Sequence, residues 1–299
     1  MKILVTGSSG FLAKYLIDNL LIKKHKVIGI DRTINSVVND ENFREYKVDL
    51  ICKNELNNFF SSHDDIDVVI HTAAVQPKDK DEDYEKYFKG NALSTFNLLD
   101  KCNRLNLKKF IFSSSFSVYG RPDKLPINEN DPLKPQNVYG LSKKNAESIF
   151  YYFFQNYNFK VIILRFDGIY GKFQNLPGFI NTSINLFKKD EDISIFNNGS
   201  KIRDYVYVED ASNALILSLD LINTASFEVF NIGGGEPINS FDLLSRIKNV
   251  LSTKSKLILT DKGNPLTSFN IFMNLDKAKN KLGCFPSKLE NNLKKMLSI

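Results

Sequence analysis

Short apolar runs alternate with longer segments of helical character along the first half of this chain of 299 residues. The runs are rich in β-branched and aromatic residues, which is typical of buried strands in parallel sheets. They lie at 2–6, 27–30, 46–50, 67–71, 108–112 and 161–165. The segments between them include an amphipathic helix up to about 21 and a long helix from about 84 to 105. This alternation predicts an α/β fold with a right-handed, doubly wound parallel sheet.

A glycine-rich turn links the first predicted strand to the first helix. Gly7 and Gly10 permit a tight turn, so that backbone N–H groups at the helix N-terminus approach a pyrophosphate. The next strand ends in Asp31, 24 residues after Gly7, where a carboxylate suits an adenosine ribose and repels a 2′-phosphate. The turn therefore predicts a Rossmann-type dinucleotide site that favours NAD over NADP. Arg32 leaves NADP open, because an adjacent arginine accommodates that phosphate.

The second half of the chain has a different pattern. Beyond about residue 172 the alternation loosens into mixed segments, including 193–196 and 205–208. We therefore predict an NAD(P)-binding Rossmann domain over residues 1–171 and a smaller mixed α/β substrate-binding lobe over residues 172–299. The segment at about 201–225 is expected to return to the Rossmann domain.

Composition and charge change this picture little. The net charge of +6 suits anionic ligands such as phosphates, yet no basic stripe indicates nucleic acid. No stretch of eighteen or more apolar residues predicts a membrane span. The cysteines (Cys52, Cys102 and Cys284) and the three histidines show no metal-ligand spacing. We expect a cytoplasmic protein with no metal site, no nucleic-acid partner and no membrane partner.

Tyr139 and Lys143 lie four residues apart in a predicted helix, which places them on one helical face. A nearby ammonium stabilises a phenolate and lowers the pKa of the phenol, which is ordinarily about 10. Such a phenol exchanges a proton with a carbinol oxygen near neutral pH. The spacing alone is common, and a solvated helix face is the simpler interpretation of it. The dinucleotide turn strengthens the chemical interpretation, because it supplies a hydride carrier.

Further segments match a known family, in the same order, from Thr6 nearly to the C-terminus. They are Thr-Gly-x-x-Gly-Phe-Leu at 6–12, Asp31, Asp-Leu at 49–50, His-Thr-Ala-Ala at 71–74, Asn91, Ser-Ser-Ser-Phe-Ser-Val-Tyr-Gly at 113–120, Tyr-x-x-x-Lys at 139–143, Arg-Asp-Tyr-Val-Tyr-Val-Glu-Asp at 203–210 and Phe-Asn-Ile-Gly-Gly-Gly-Glu-Pro at 230–237. On these segments the chain resembles the extended short-chain dehydrogenase/reductase family, in its NAD-dependent epimerase/dehydratase group acting on nucleotide sugars. The resemblance implies a homodimer built on two helices per subunit. The aromatic run at 151–154 fits such a contact in part.

The resemblance also implies roles for single residues. Tyr139 is expected to be the acid/base, Lys143 its partner, and Ser115 the hydroxyl that binds the reacting sugar oxygen. The residues expected to bind the cofactor are Gly7, Ser9, Gly10, Phe11, Leu12, Asp31, Arg32, Asp49, Leu50, Ala73, Ala74, Asn91, Ser113, Tyr139 and Lys143. Asp167 and Arg203 join Ser115 as expected substrate ligands, since a guanidinium fork suits a diphosphate. The structural alternatives are a salt bridge from Arg203 to Asp204 and simple packing for Ser115.

Departures from the family pattern narrow the chemistry. Dehydratases of the group carry an acidic pair after the catalytic hydroxyl, and decarboxylases usually keep a glutamate at the second of these positions. This chain has Phe116 and Ser117 there, so dehydration and decarboxylation lose support. Gly168 replaces a common diphosphate-binding asparagine, and Asp261 lies about where many relatives that use UDP-sugars have an arginine. We therefore expect an altered pocket, with the diphosphate held mainly by Arg203 or absent from the substrate.

The leading hypothesis is an NAD-dependent nucleotide-sugar epimerase that oxidises a C4 carbinol and re-reduces the keto intermediate. The alternative is an NAD(P)H-dependent reductase of 4-keto-(deoxy)sugar nucleotides. A catalytically inactive dinucleotide-binding protein is disfavoured, because both Tyr139 and Lys143 are present. The sequence leaves the nucleotide and the sugar open.

Overall fold

The computed structural model describes residues 1–35, 38–77, 83–174, 178–262 and 269–297. The strands are β1 (Lys2–Thr6), β2 (Lys26–Asp31), β3 (Phe43–Lys47), β4 (Val68–His71), β5 (Lys109–Ser115), β6 (Lys160–Phe166), β7 (Ile169–Tyr170), β8 (Ile193–Ile195), β9 (Ile202–Arg203), β10 (Val206–Tyr207), β11 (Phe227–Ile232), β12 (Ile238–Asn239) and β13 (Leu257–Leu259). The α-helices are α1 (Phe11–Ile22), α2 (Lys53–Phe60), α3 (Tyr84–Tyr87), α4 (Ser94–Arg104), α5 (Val138–Tyr157), α6 (Phe179–Phe187), α7 (Val208–Leu221), α8 (Ser240–Leu251) and α9 (Leu289–Leu297).

Over these residues the centre of the fold is a seven-stranded sheet in the order β11-β6-β5-β4-β1-β2-β3. Every neighbouring pair in it is parallel. The Rossmann-type parallel sheet predicted from the sequence is therefore confirmed. The chain leaves β1 in one direction to β2 and β3, then crosses to the other side of β1 at β4. This reversal opens a crevice at the carboxyl ends of the strands, which is where open α/β sheets bind ligands.

Two strands differ from the prediction. The predicted strand at 46–50 is wrong in its bounds, since β3 ends at Lys47, opposite Asp31 at the end of β2. The apolar residues Val48 and Leu50 after it are buried in the loop that follows. β11 is a seventh sheet strand that the apolar runs did not indicate, because Glu228 and Asn231 interrupt its apolar character.

Helices cover both faces of the sheet. Leu16 of α1 and Leu215 of α7 belong to the core on one face. Leu98 of α4 and Phe150 of α5 belong to the core on the other. The long helix predicted from 84 to 105 is continuous through α3, a π-helical turn (Phe88–Leu93) and α4. Strands buried on both faces account for the near-continuous apolar runs in the sequence.

A third core lies among α6, α8 and α9 and includes Ile184, Leu244 and Leu293. Short two-stranded sheets border it, in the pairs β7–β10, β9–β12 and β8–β13. The division of the chain near residue 171 stays a prediction, and β11 lies in the central sheet although it follows that boundary. Among the described residues, no helix is long and apolar enough to span a membrane.

Candidate active site

A cavity of about 600 Å³ lies at the carboxyl ends of the sheet strands, where the strand order reverses. Most of the expected site residues line it: Gly7, Ser9, Gly10, Phe11, Leu12, Asp31, Arg32, Asp49, Leu50, Ala73, Ala74, Ser113, Ser115, Tyr139, Lys143 and Asp167. Within the described part of the chain, Asn91 and Arg203 lie outside its wall. Residues that the sequence predicts to bind the cofactor, to catalyse the reaction and to bind the substrate therefore line the same cavity.

The glycine-rich turn forms one end of this cavity. Gly7 has a positive φ of 71°, and a Cβ on it would lie 2.6 Å from the Cα of Ala73. Only glycine fits both conditions without strain. α1 then begins at Phe11 after an extended Gly10 that provides no side-chain cap, and its first turn contains no acidic residue. The uncapped N–H groups and the positive end of the helix dipole suit the pyrophosphate of a dinucleotide.

Two carboxylates meet beside Ser9 at the same end. Asp31 accepts from the Ser9 backbone N–H at 3.3 Å. Glu45 accepts from the hydroxyls of Ser8 at 2.6 Å and Ser9 at 3.0 Å. Arg32 is exposed. The sequence analysis missed Glu45, whose position follows from its pairing opposite Gly29 in β2, and this register was not evident while β3 was placed at 46–50.

Tyr139 and Lys143 project from the first turns of α5. The helix begins after Asn137, whose side chain accepts from the Gly140 N–H at 2.7 Å. A Cβ at Gly140 would lie 2.3 Å from the carbonyl oxygen of Ser117, so glycine lets α5 pack directly on the short 3₁₀ turn after β5. This close approach brings Tyr139 and Ser115 to the same wall of the cavity, where Ser115 acts to lower the pKa of the phenol.

Burial controls the proton affinities of this pair. It raises the pKa of Tyr139 to about 12, although hydrogen bonds with Ser115 and Gln76 oppose the rise. Burial lowers the pKa of Lys143 to about 7, and the charge of Glu147 opposes that fall. The predicted lowering of the Tyr139 pKa by Lys143 is therefore not seen in the protein alone. The Lys143 ammonium instead donates to the Ser113 carbonyl at 2.5 Å.

Asp167 and Arg203 lie at the other end of the site. Asp167 accepts from the N–H groups of Gly168 at 2.6 Å and Asp204 at 3.2 Å, and burial raises its pKa to about 7. Arg203 donates to the carbonyls of Ile202 at 2.9 Å and Phe269 at 2.8 Å. Burial lowers the pKa of Arg203, and the charge of Asp167 opposes that fall. Asp167, which lines the cavity, is thus a charged neighbour of Arg203.

The alternative salt bridge from Arg203 to Asp204 is not formed. The Asp204 carboxylate instead accepts from the Glu236 N–H at 2.9 Å. Asp261 is exposed, and the neighbouring positions 263–265 lie outside the described residues. Among the described residues Arg203 forms no salt bridge, and Asp167 is the carboxylate whose charge acts on it.

Asn91 lies behind the cavity wall, in the π-helical turn. Its side chain accepts from the Val75 N–H at 2.6 Å and donates to the Ser142 hydroxyl at 2.8 Å. These bonds hold the loop after β4 against α5. A binding role for Asn91 through its side chain has no support in this geometry, because its amide is already used to join the loop after β4 to α5.

Within the described ranges, no cluster of three or more His, Cys, Asp and Glu residues could hold a metal ion.

Comparison with known proteins places this site in a family. The sequence model of the NAD dependent epimerase/dehydratase family matches residues 3–233. The UDP-glucose 4-epimerase of Lacticaseibacillus casei is 28% identical over 96% of this chain and 92% of its own length. The crystal structure of UDP-glucose 4-epimerase from Thermotoga maritima with UDP-glucose has a TM-score of 0.89 at 28% identity and covers 100% of this chain and 98% of that chain.

A further structure in the comparison contains both kinds of ligand. The UDP-glucuronic acid 4-epimerase of Bacillus cereus, in complex with UDP-glucuronic acid and NAD, has a TM-score of 0.89 at 27% identity. The two chains cover 100% and 98% of each other. The family match spans the dinucleotide turn, Ser115, Tyr139, Lys143 and Arg203 in one alignment. The chain therefore belongs to the NAD dependent epimerase/dehydratase family.

Proposed function

We propose that this protein is an NAD-dependent nucleotide-sugar 4-epimerase. The observation that carries the proposal is that Ser115, Tyr139 and Lys143 line one cavity together with the glycine-rich turn. A redox-active dinucleotide and a proton-transfer group are what oxidation and re-reduction of a carbinol require. The relatives named above support the same reaction, since all of them are 4-epimerases of UDP-sugars.

The residues at the turn fit NAD. The uncapped N-terminus of α1 would hold the pyrophosphate, with Phe11 and Leu12 supplying backbone N–H groups. Asp31 and Glu45 would accept from the adenosine ribose and repel a 2′-phosphate, because two carboxylates beside Ser9 oppose a further anion. NAD bound here supplies a hydride acceptor and returns the hydride.

The protein supplies the proton chemistry and the orientation. The Tyr139 phenolate would take the proton of the sugar hydroxyl, and the resulting phenol would return it after the intermediate has turned over. Ser115 would hydrogen-bond the reacting oxygen and keep it within reach of the phenol. Lys143 would stabilise the phenolate through its positive charge when it is protonated. Phe116 and Ser117 stand where dehydratases of the group carry their acidic pair. Because neither side chain can serve as a general acid or base, Tyr139 is the proposed acid/base.

The substrate is proposed to be a UDP-sugar, by analogy with the relatives. Arg203 would bind its diphosphate once the side chain turns towards the cavity. Asp167 would bind a hydroxyl, or would carry a proton when it faces an anion, since burial raises its pKa to about 7.

A homodimer and a cytoplasmic location are further proposals. On α5 the side chains of Tyr151 and Tyr152 are 52% and 50% exposed, whereas Phe153 is buried. Exposed aromatic side chains on one long helix favour a helix-to-helix contact between subunits. The cysteines Cys52, Cys102 and Cys284 are all free, which suits a reducing compartment.

The test incubates the purified protein, with no added cofactor, with UDP-glucose, UDP-galactose, UDP-N-acetylglucosamine and UDP-glucuronic acid in separate reactions. An epimerase converts at least one of them into its C4 epimer with no net change in NADH. A protein that converts none of them, but oxidises added NADH stoichiometrically with a 4-keto-sugar nucleotide, is the reductase instead. Tyr139→Phe is the matched control, because it removes only the hydroxyl.

A further inference from the structure

A buried ion pair between Glu147 and Arg165 lies behind the proposed catalytic side chains. The Arg165 Nη2 atom is 2.7 Å from the Glu147 Oε2 atom, and each side chain is only 6% exposed. Arg165 Nε also donates to Glu147 Oε1 at 3.1 Å. Removing two charges from water often costs more free energy than their attraction returns. Stability alone therefore gives a weak reason for this pair to be here.

Glu147 connects directly to the elements that carry the site. It lies one helical turn beyond Lys143 on the same face of α5. Its carboxylate also accepts a hydrogen bond from the Ser114 hydroxyl. Ser114 lies between Ser113, whose carbonyl accepts from Lys143, and Ser115. One carboxylate thus borders both the lysine and the strand end that carries the serine.

Arg165 in turn keeps that carboxylate in place. Its Nη1 atom donates to the Tyr119 hydroxyl at 2.8 Å and to the Glu129 carbonyl at 2.9 Å. The guanidinium lies 4.8 Å from the centre of the Tyr119 ring, and the Tyr119 hydroxyl donates to Asn231 at 2.6 Å. The planar guanidinium of Arg165 is thus hydrogen-bonded on more than one side, so it has little freedom to rotate away from the Glu147 carboxylate.

We propose that Glu147, fixed by Arg165, is a positioning residue that keeps Lys143 charged and keeps the end of β5 aligned with Tyr139. The roles of Tyr139 and Lys143 in this proposal rest on the proposed function. Glu147 does not line the cavity, so it acts through its neighbours and touches neither substrate nor cofactor.

The surroundings of Lys143 make Glu147 its main charged partner. From β4, His71 faces it as a neutral ring, because burial lowers the pKa of His71 to about 3. From β5, it meets the Ser113 carbonyl and the Phe112 ring, whose centre is 4.3 Å from Nζ. The negative charge of Glu147 is the one that raises the pKa of Lys143 against burial. Without it, Lys143 would lose its proton at lower pH and the Tyr139 phenolate would lose its cation.

The test measures ionisation of Lys143 in the NAD-bound protein, from the carbon-13 chemical shift of its ε-carbon in lysine-labelled protein, with the resonance assigned by its absence from Lys143→Met. Glu147→Gln should lower the midpoint of Lys143 ionisation by about one pH unit, because it removes a negative charge that favours the buried ammonium. Arg165→Met is the matched control, because it breaks the same ion pair but removes a positive charge. It should leave the midpoint unchanged or raise it.

Equal downward shifts of the Lys143 midpoint in both variants would overturn the proposal, because they would reflect lost packing rather than lost charge. So would an unchanged midpoint in Glu147→Gln. If either single variant fails to fold, the double variant E147M/R165M decides, since apolar replacement of a buried pair is often tolerated. It should still lower the midpoint, by less than Glu147→Gln, because Glu147 is the member of the pair that acts on Lys143.

Turnover measured beside the Lys143 midpoint separates this proposal from the proposed function. If the wild-type protein epimerises a UDP-sugar, Glu147→Gln should lower kcat about tenfold with little change in KM. If the wild type epimerises no UDP-sugar while the Lys143 midpoint shifts as predicted, the proposed function fails and the positioning role stands. If the wild type epimerises normally and the midpoint does not shift in Glu147→Gln, the positioning role fails and the proposed function stands.

Discussion

The Lys143 ammonium donates a 2.5 Å hydrogen bond to the backbone carbonyl of Ser113. This bond joins α5 to the end of β5 and therefore links the elements that carry Tyr139 and Ser115. Tyr139, Ser115 and Lys143 are all more than nine-tenths buried. Their geometry is thus fixed by packing before any ligand arrives, which is how a site limits the reorganisation needed during reaction.

Ser115→Ala tests the proposed contact with the reacting oxygen. The variant should lower kcat about 10-fold to 100-fold with a small change in KM, because a hydrogen bond to a group that becomes charged is worth roughly 1.5–3 kcal/mol. Steady-state kinetics with an accepted UDP-sugar measures this. Ser117→Ala is the control, since Ser117 bonds to the Ser115 hydroxyl at 3.2 Å but is not proposed to touch the sugar. Equal losses in the two variants would contradict the role given to Ser115.

Asp31→Asn tests the basis of the preference for NAD. Loss of the charge should weaken NAD binding about tenfold and improve NADP binding, because the remaining amide no longer repels a 2′-phosphate. Glu45→Gln should shift the preference in the same direction by a smaller factor. Thermal stabilisation by each dinucleotide measures both effects. If Arg32 instead binds a 2′-phosphate, the wild type will already bind NADP well and Arg32→Ala will lose that binding.

The turn, the acid at the end of β2 and the Tyr139–Lys143 pair could be predicted because each depends on residues close together in sequence. The contacts of Glu45 and Asn91 could not be predicted from local sequence patterns. The Glu45 carboxylate reaches Ser9 only through the register of β3 against β2. Asn91 faces Val75 from a π-helical turn, which a regular helical pattern does not predict.

The prediction that Lys143 lowers the pKa of Tyr139 was wrong for a related reason. The sequence places a cation one helical turn away from Tyr139, but it does not show how completely the phenol is buried. In the protein alone, burial outweighs the hydrogen bonds with Ser115 and Gln76 and raises the pKa of Tyr139 to about 12. Desolvation depends on all the surrounding elements, so four-residue spacing cannot predict it.

His71 makes stability depend on pH. The Thr95 hydroxyl donates to the Asn91 carbonyl at 2.6 Å, so His71 Nε2 carries the hydrogen and donates to Thr95, while Nδ1 accepts from Thr6. Burial lowers the pKa of this neutral ring to about 3, against about 6.5 when unfolded. Between these values only the unfolded state binds the proton. The free energy of unfolding should therefore fall as pH decreases from about 6.5, by up to about 1.4 kcal/mol per pH unit.

Urea unfolding of the wild type and His71→Gln between about pH 5 and pH 8 measures this contribution. The variant should be less stable than the wild type at pH 8, because it loses at least one of the two hydrogen bonds. The difference should narrow as the pH falls, since glutamine does not titrate. A constant difference across the range would show that His71 does not titrate as described.

Tyr151→Lys combined with Tyr152→Lys tests the proposed dimer. Two charges on an aromatic contact should favour the monomer, because each would have to be desolvated in the interface. Light scattering gives the mass of each form. Ile22→Lys is the control, as Ile22 is 74% exposed at the end of another helix. A wild-type protein that is monomeric, or a double variant that remains dimeric, would contradict an interface on this face of α5.

Turnover by Tyr139→Phe tests the proposed function most directly. The substitution removes one hydroxyl and leaves the ring that packs against Tyr87. The measurement is the rate at which the wild type and the variant convert an accepted UDP-sugar into its C4 epimer, with the NAD content of both determined. We expect the variant to bind NAD and to lose turnover by about 10²-fold to 10⁴-fold. A variant that binds NAD and epimerises at the wild-type rate would contradict the role of Tyr139 as the acid/base.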